Sequence, residues 1–252
     1  VKGTDNEQRV GPQRALQSGA ISKGEMKKAL FLCGGLTLAS GIALLALSFG
    51  PEQMTQALWM LGVGLVAIWA AIQYTVGKRA YGYSGMGDLF VLLFFGLVSV
   101  WGITFLFLGE LNTALLYPAI SYGLLATGVL NINNMRDIEN DKASGKNTLV
   151  VLLGAKNARM YHALLILGAF LFSGLYLYEL NLAACFSPSA NPPDFRLRYL
   201  ALLGFVPVIV NTIQVLKPKE HAADYNPFLK GLSLSALFQV IVFVSVLLYL
   251  IP

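Results

Sequence analysis

Seven separate apolar runs, each long enough to cross a bilayer, constrain this chain more than any other feature of its sequence. Each run covers about 20 residues, the length that a helix needs to span the hydrocarbon core. Backbone polar groups in hydrocarbon must bond within their own segment, so such runs predict helices. The first four contain no Asp, Glu, Lys or Arg, and the last three carry charge only at their ends. The runs fall near residues 30–49, 55–74, 89–108, 113–133, 159–178, 198–216 and 229–251.

The composition agrees with a membrane protein. Hydrophobic residues make up 56% of the chain and charged residues only 12%, whereas an average soluble domain is roughly 25% charged. Seven spans leave no room for a separate soluble domain in 252 residues. We therefore predict an all-α fold, a polytopic transmembrane helical bundle, with residues 1–252 in a single membrane domain.

The basic residues are distributed unevenly along the chain. Lys and Arg number 18 against 13 Asp and Glu, a net charge of +5. Alternate loops hold 16 of the 18 cations, and the other loops hold only Arg196 and Arg198. By the positive-inside rule the cation-rich loops are cytoplasmic, so the excess of basic residues indicates a lipid bilayer as partner and no nucleic acid. These cytoplasmic segments are 1–29, 75–88, 134–159 and 217–230.

The most informative polar segment, residues 131–148, follows directly after the fourth run. If that helix continues past the membrane surface, Asn133, Asp137 and Asp141 recur one turn apart on one face, with Asn134 beside them. Two carboxylates one turn apart repel each other, and a divalent cation between them relieves the repulsion. Oxygen ligands of this kind suit Mg²⁺, which takes further ligands from a substrate's phosphates.

A solvated helix end, with Arg136 and Lys142 as partners of the carboxylates, is the alternative interpretation of this segment. Three features favour the metal site. The carboxylates abut the bilayer, amides precede them, and a turn with the cation Lys146 follows.

The loop between the second and third runs, residues 74–88, carries adjacent cations on a glycine-punctuated stretch. Lys78 and Arg79 combine a point charge with a forked guanidinium, a common way to hold a diphosphate. An ordinary cytoplasmic anchor pair is an equally good interpretation of the two cations by themselves. Asp88 is expected to cap the third span at its N-terminus.

The opening segment, residues 1–19, places Asp5, Arg9 and Arg14 in a stretch that Gly11 and Pro12 keep irregular. Without further context this segment is interpreted as a polar tail.

Taken together, these segments resemble a known family. Residues Asn133 to Thr148, followed by Leu149 to Gly154, are similar to the second aspartate-rich motif of the UbiA-type intramembrane prenyltransferases. The similarity is greatest to the branch that acts on 1,4-dihydroxy-2-naphthoate in menaquinone biosynthesis. Residues 74–88 resemble that branch's cytoplasmic loop between its two aspartate-rich motifs, and residues 2–19 resemble the segment that follows its first motif.

The resemblance implies a fold of nine transmembrane helices in the full-length protein. The chain is then expected to lack two N-terminal spans together with most of the first aspartate-rich motif, of which Asp5 would be the last carboxylate.

The resemblance also implies a reaction: Mg²⁺-dependent transfer of a polyprenyl group from a polyprenyl diphosphate to 1,4-dihydroxy-2-naphthoate, with loss of carbon dioxide and diphosphate. The site would face the cytoplasm from a bacterial inner membrane. Asp137 and Asp141 would be catalytic. The metal ligands would be Asp137, Asp141 and Asp5, the diphosphate-binding residues Lys78, Arg79, Arg9 and Lys146, and the supporting residues Asn133, Asn134 and Arg14.

Three alternatives remain open from the sequence. One is a family member with another aromatic acceptor, such as 4-hydroxybenzoate or homogentisate, and another is a non-catalytic scaffold. The third is a membrane transporter, although transporters usually place ionisable groups near the bilayer midplane. The isoprenoid chain length, the order of decarboxylation and coupling, and the oligomeric state are not encoded in a recognisable way.

Overall fold

The computed structural model describes residues 15–16, 18–75, 80–185 and 195–250. Helices dominate these ranges and no strand occurs within them, which confirms the all-α prediction. The α-helices are α1 (Lys23–Ser48), α2 (Met54–Thr75), α3 (Gly87–Val91), α4 (Gly102–Leu108), α5 (Leu116–Arg136), α6 (Ile138–Ala143), α7 (Leu149–Cys185), α8 (Phe195–Arg198), α9 (Val206–Leu216) and α10 (Asn226–Leu250). A π-helix, Leu92–Trp101, joins α3 to α4, and a 3₁₀-helix, Tyr199–Phe205, joins α8 to α9.

Seven helical stretches in these ranges are long and apolar enough to cross a membrane, which confirms the predicted polytopic bundle. Each of the seven overlaps one of the predicted runs. They are Lys23–Ser48, Pro51–Tyr74, Gly87–Leu108, Thr113–Arg136, Leu149–Ala183, Tyr199–Leu216 and Ala222–Tyr249.

The fifth span departs most from its predicted bounds. Helix α7 begins at Leu149, well before residue 159, and it is interrupted at Gly154, whose φ of 75° and ψ of 159° are not helical. Hydropathy marks only the part of a helix that lies in hydrocarbon. Here the helix extends beyond the apolar run toward its N-terminus, so Lys156 and Arg159 lie within α7.

Helix α5 lies at the centre of the bundle. It packs against α7, the π-helix and α10. Its buried residues Leu125, Ile132 and Met135 join Phe205, Leu232 and others in one hydrophobic core cluster. The helix that ends in the aspartate motif is therefore the most firmly held of those that the structure describes.

The π-helix and α5 approach each other closely at Gly96 and Gly123. A Cβ atom placed on Gly96 would lie 2.5 Å from the carbonyl oxygen of Ala119 and 2.8 Å from the Cα of Gly123. Both atoms are backbone, so they cannot rotate away. Small residues at such crossings let membrane helices pack backbone to backbone.

Helix α1 contrasts with α5, since none of its residues is buried. It packs mainly against α2 and, more lightly, against α4. Its large apolar side chains, such as Phe31 and Leu47, are exposed, as expected for groups that face lipid.

We predict that Gly96→Ala destabilises the bundle by about 1–3 kcal/mol, because the added methyl forces two backbones apart. Thermal unfolding in detergent micelles measures this. Gly62→Ala in α2 is the matched control, since no atom lies within 4 Å of a Cβ at that position. Equal midpoints for the two variants would contradict the close-packing argument.

Candidate active site

The aspartate motif lies where the central helix ends. Helix α5 stops at Arg136, and Asp137, with φ −95° and ψ 9°, separates it from α6. The prediction of one unbroken helix is therefore wrong at Asp137. The one-turn spacing survives the break, because the Asp137 amide donates to the Asn133 carbonyl at 3.1 Å and the Asp141 amide donates to the Asp137 carbonyl at 2.8 Å.

A buried guanidinium organises the first carboxylate. Arg136 donates from Nε to Oδ1 of Asp137 and from Nη2 to Oδ2, each at 2.8 Å. Its Nη2 also donates to Oδ1 of Asn133 at 2.8 Å, and its Nη1 donates to Oδ1 of Asn226 in α10 at 3.3 Å. A two-point contact of this kind fixes the orientation of a carboxylate as well as its charge. Arg136 thus joins the amide and the aspartate of the motif to the start of the last span.

The second carboxylate pairs with a different cation. Nζ of Lys146 lies 3.0 Å from Oδ1 of Asp141, and both residues are buried. The chain returns through Gly145, whose φ of 68° is in the left-handed region, and the Lys146 amide donates to the Asp141 carbonyl at 2.9 Å.

The solvated-helix-end interpretation is wrong for this segment. Arg136 does pair with Asp137, as that interpretation expected, but it does so in a buried position. Lys142 is exposed, and Lys146 takes the place beside Asp141. Charges that are buried and paired in this way are expensive to maintain for stability alone.

The structure brings the motif together with the loop that precedes α3. The Asn147 amide donates to the Tyr83 carbonyl at 3.0 Å, and Nζ of Lys146 lies 5.6 Å from the centre of the Tyr83 ring. Gly85, with φ 76°, makes this approach possible, since a Cβ there would lie 3.3 Å from the Asn147 carbonyl oxygen. Two segments that the sequence analysis singled out therefore meet at one end of the bundle.

Five predicted site residues lie outside the described residues: Asp5, Arg9, Arg14, Lys78 and Arg79. Their predicted roles in metal and diphosphate binding stay predictions. Within the part of the chain that the structure describes, no group of three or more His, Cys, Asp or Glu side chains could hold a metal ion. Asp137 and Asp141 are the two described carboxylates of the motif that were predicted as metal ligands.

The donor set of these two residues fits Mg²⁺. The ion is commonly bound through one or two carboxylates together with substrate phosphates, without a complete protein cage. Each carboxylate oxygen has two lone pairs, so pairing with Arg136 or Lys146 leaves acceptor capacity.

Asp88 does not cap its helix, contrary to the sequence prediction. The N-cap of α3 is Met86, and no side chain caps it. Asp88 is instead buried against the centre of the bundle, where Tyr161 of α7 is a side-chain hydrogen-bond partner and Thr127 of α5 donates to the Asp88 carbonyl at 3.4 Å. The buried surroundings follow from packing against α5 and α7, which the sequence of this loop does not reveal.

An aromatic groove of about 480 Å³ runs beside this end of the bundle, between α2 and the third span. Tyr81 stacks on Phe90 with ring centres 3.8 Å apart and donates to the Ala70 carbonyl at 2.7 Å. Burial raises the pKa of the Tyr81 phenol, so it stays protonated as a donor. Tyr74 and Phe94 complete an apolar wall that suits an isoprenoid or an aromatic ring.

Comparison with known proteins places the chain in a family. The model of the UbiA prenyltransferase family matches residues 2–218. This chain belongs to the UbiA prenyltransferase family. The match covers most of the described structure, including the two loops that meet at the aspartate motif.

Several similar curated proteins share one name. The 1,4-dihydroxy-2-naphthoate octaprenyltransferase of Escherichia coli is 49% identical over 72% of this chain and 58% of its own length. Proteins of the same name are 47% identical in Haemophilus influenzae, over 66% of this chain and 53% of the relative, and 36% identical in Mycobacterium tuberculosis, over 73% and 58%. The chain thus spans little more than half the length of these relatives. No solved structure matches it at a significant level.

We predict that Arg136→Lys lowers the free energy of unfolding by about 1–3 kcal/mol, because a single ammonium cannot replace the bonds that the guanidinium makes to buried oxygens. Denaturation in detergent, followed by tryptophan fluorescence, measures the change. Lys142→Gln is the control in the same segment, as this cation is exposed. An Arg136→Lys protein that is as stable as wild type would show that the bonds to Asn133, Asp137 and Asn226 are dispensable.

Proposed function

We propose that this UbiA-family protein transfers a polyprenyl group from a polyprenyl diphosphate to 1,4-dihydroxy-2-naphthoate, with release of diphosphate and carbon dioxide. The observation that carries the proposal is the meeting of the paired carboxylates with the Tyr83 loop beside an aromatic groove. The names of the relatives at 36–49% identity support this choice of acceptor.

The buried cations are proposed to bind the diphosphate group of the prenyl donor. Lys146 holds Asp141 and turns toward the Tyr83 loop, so a diphosphate bound between the two loops would meet positive charge. Lys78, Arg79 and Arg9 are proposed to add to this charge. Cations at this position stabilise the negative charge that develops on the leaving diphosphate as the C–O bond ionises.

The carboxylates have the complementary role. Asp137 and Asp141, with Asp5, would hold Mg²⁺, which supplies positive charge to the diphosphate oxygens. Arg136 keeps the Asp137 carboxylate in one orientation, while Asn133 and Asn134 line the same helix end and Arg14 is proposed to support the site. A motif fixed in this way loses little entropy when the donor binds.

The apolar groove serves the other end of the donor and the acceptor. Its wall of Tyr81, Phe90 and Phe94 excludes water from the allylic cation that ionisation leaves. The ring carbon of the acceptor that bears the carboxylate forms a new C–C bond to this cation. Its bond to the carboxyl group then breaks, carbon dioxide leaves, and the electron pair of that bond restores the aromatic ring.

We predict that Asp137→Asn and Asp141→Asn each abolish nearly all prenyl transfer in a full-length protein while leaving it inserted in the membrane, because each removes a carboxylate charge that is proposed to hold Mg²⁺ at the diphosphate. Product formation from a radiolabelled prenyl diphosphate measures the activity. Glu139→Gln, an exposed neighbour, is the matched control. Normal turnover in the Asp137→Asn protein would remove the motif from the mechanism.

The acceptor is tested in the same assay. 1,4-Dihydroxy-2-naphthoate, 4-hydroxybenzoate and homogentisate are supplied one at a time, and only the first is expected to give a prenylated product with loss of label from its carboxyl carbon. If only another acceptor is prenylated, the protein is still a prenyltransferase, but the proposal of 1,4-dihydroxy-2-naphthoate as its acceptor is wrong.

We further propose that the site faces the cytoplasm from the inner membrane. A single cysteine placed at Lys142, in a protein whose Cys33 and Cys185 are changed to Ser, should react with an impermeant maleimide in inverted vesicles and not in intact spheroplasts. A cysteine at exposed Glu110, beyond the other end of the third span, should show the reverse. The opposite labelling pattern would invert the proposed topology.

A further inference from the structure

Asp88 is a buried carboxylate that the proposed mechanism does not use. The residue is 6% exposed, and its Oδ2 atom is buried without a hydrogen-bond partner among the described residues. Tyr161 and the backbone amide of Asp88 itself are hydrogen-bond partners of the carboxylate, and neither satisfies Oδ2. A buried carboxylate oxygen without a donor costs a substantial part of its hydration energy.

Asp88 lines a small polar cavity. The cavity has a volume of about 10 Å³, and its wall includes Asn134 and Thr148 as well as Asp88. This is the room that one water molecule needs, and such a molecule requires two to four polar partners. Asn134, Thr148 and Asp88 in the wall carry an amide, a hydroxyl and a carboxylate that can serve as these partners.

The hydroxyl of Thr148 can donate a hydrogen bond. Its oxygen accepts from the Val151 amide at 3.3 Å, at the start of α7. The hydroxyl hydrogen is therefore directed elsewhere. A water molecule in the cavity can accept from Thr148 or from the Asn134 amide and donate to Oδ2 of Asp88.

These three residues come from three segments. Asp88 lies at the start of the third span, Asn134 lies in the last turn of α5, and Thr148 ends the motif loop. The loop before the third span and the motif loop are also joined directly, because the Asn147 amide donates a hydrogen bond to the Tyr83 carbonyl. Gly85 approaches the same loop, since a Cβ atom added to it would lie 3.3 Å from the Asn147 carbonyl oxygen.

We propose that Asp88 is a positioning residue, which holds the Tyr83 loop against the Lys146 loop through one water molecule shared with Asn134 and Thr148. Asp88 does not touch the donor. It acts through the two loops between which, by the proposed function on which this inference rests, the diphosphate binds. Loss of the bridge loosens the loops and weakens donor binding more than it slows the chemical step.

Two substitutions of Asp88 separate this role from a general effect on folding. Asp88→Asn keeps an acceptor oxygen for the bridge, whereas Asp88→Leu keeps a branched side chain of similar shape and removes the acceptor. In the full-length protein we expect Asp88→Leu to raise the KM for the prenyl diphosphate about tenfold with little change in kcat, since one buried hydrogen bond is worth about this factor. Asp88→Asn should stay within about twofold of wild type by the same reasoning. Glu110→Gln is the control.

Hydrogen–deuterium exchange provides a readout that does not require activity. Peptides that cover residues 80–88 and 144–149 should exchange about tenfold faster in Asp88→Leu, with α10 unchanged, because the bridge protects only these two segments. Thr148→Val should accelerate exchange in residues 80–88 as well, whereas Thr148→Ser should not. The two Thr148 variants test the bridge even if Asp88→Leu fails to fold. Thr148→Val also removes the hydrogen bond from the Val151 amide at the start of α7, but loss of that bond alone would not accelerate exchange in residues 80–88.

Three results would overturn the inference. Wild-type KM and exchange in Asp88→Leu would show that nothing is bridged. An Asp88→Asn protein as impaired as Asp88→Leu would show that charge, and not a shared water molecule, is what matters. Faster exchange throughout the chain would indicate global destabilisation. If the wild-type protein forms no prenylated product, the proposed function fails, and the exchange experiment still decides the role of Asp88.

Discussion

Carboxylates at the edge of a hydrocarbon layer are stable only when cations or donors face them, and this constraint shapes the end of the bundle that carries the aspartate motif. Asp137 is paired with Arg136, and Asp141 is paired with Lys146. Each pair uses a cation from the motif segment itself, so residues within this segment neutralise the charges of its two aspartates. The break after α5, the turn at Gly145 and the return of the chain toward Tyr83 are the backbone path that these pairings require.

The apolar part of the bundle holds the aspartate motif in a fixed position. Helix α5 is held on several sides, and at Gly96 and Gly123 its backbone touches that of the third span. The motif follows directly from the helix with the most buried surroundings. A flexible support would let the paired charges separate into competing arrangements, and the positions of the carboxylates would then not be defined.

The sequence was sufficient for the number and class of the spans, because the cost of exposing backbone in lipid leaves a strong signal in composition. It also located the aspartate motif and the loop of residues 74–88, although their contact depends on Gly85 and Asn147, which are far apart in sequence. Partner choice was harder to predict. Lys142 and Lys146 are equally plausible cations for Asp141 in the sequence, and only the turn at Gly145 decides between them. Asp88 was misjudged for a related reason: its position before an apolar run is typical of a cap, while its burial depends on Thr127 and Tyr161 from other helices.

The contact between Arg136 and Asn226 extends the influence of the motif to the far end of the chain. Asn226 is the first residue of α10, and its oxygen lies 3.3 Å from the guanidinium. A helix rises about 1.5 Å per residue, so a slip of the last span by a single residue along its axis is enough to break that bond. The position of α10 along its axis is thereby coupled to Arg136, and a bilayer whose thickness displaces this helix removes one of the bonds that hold the guanidinium beside Asp137.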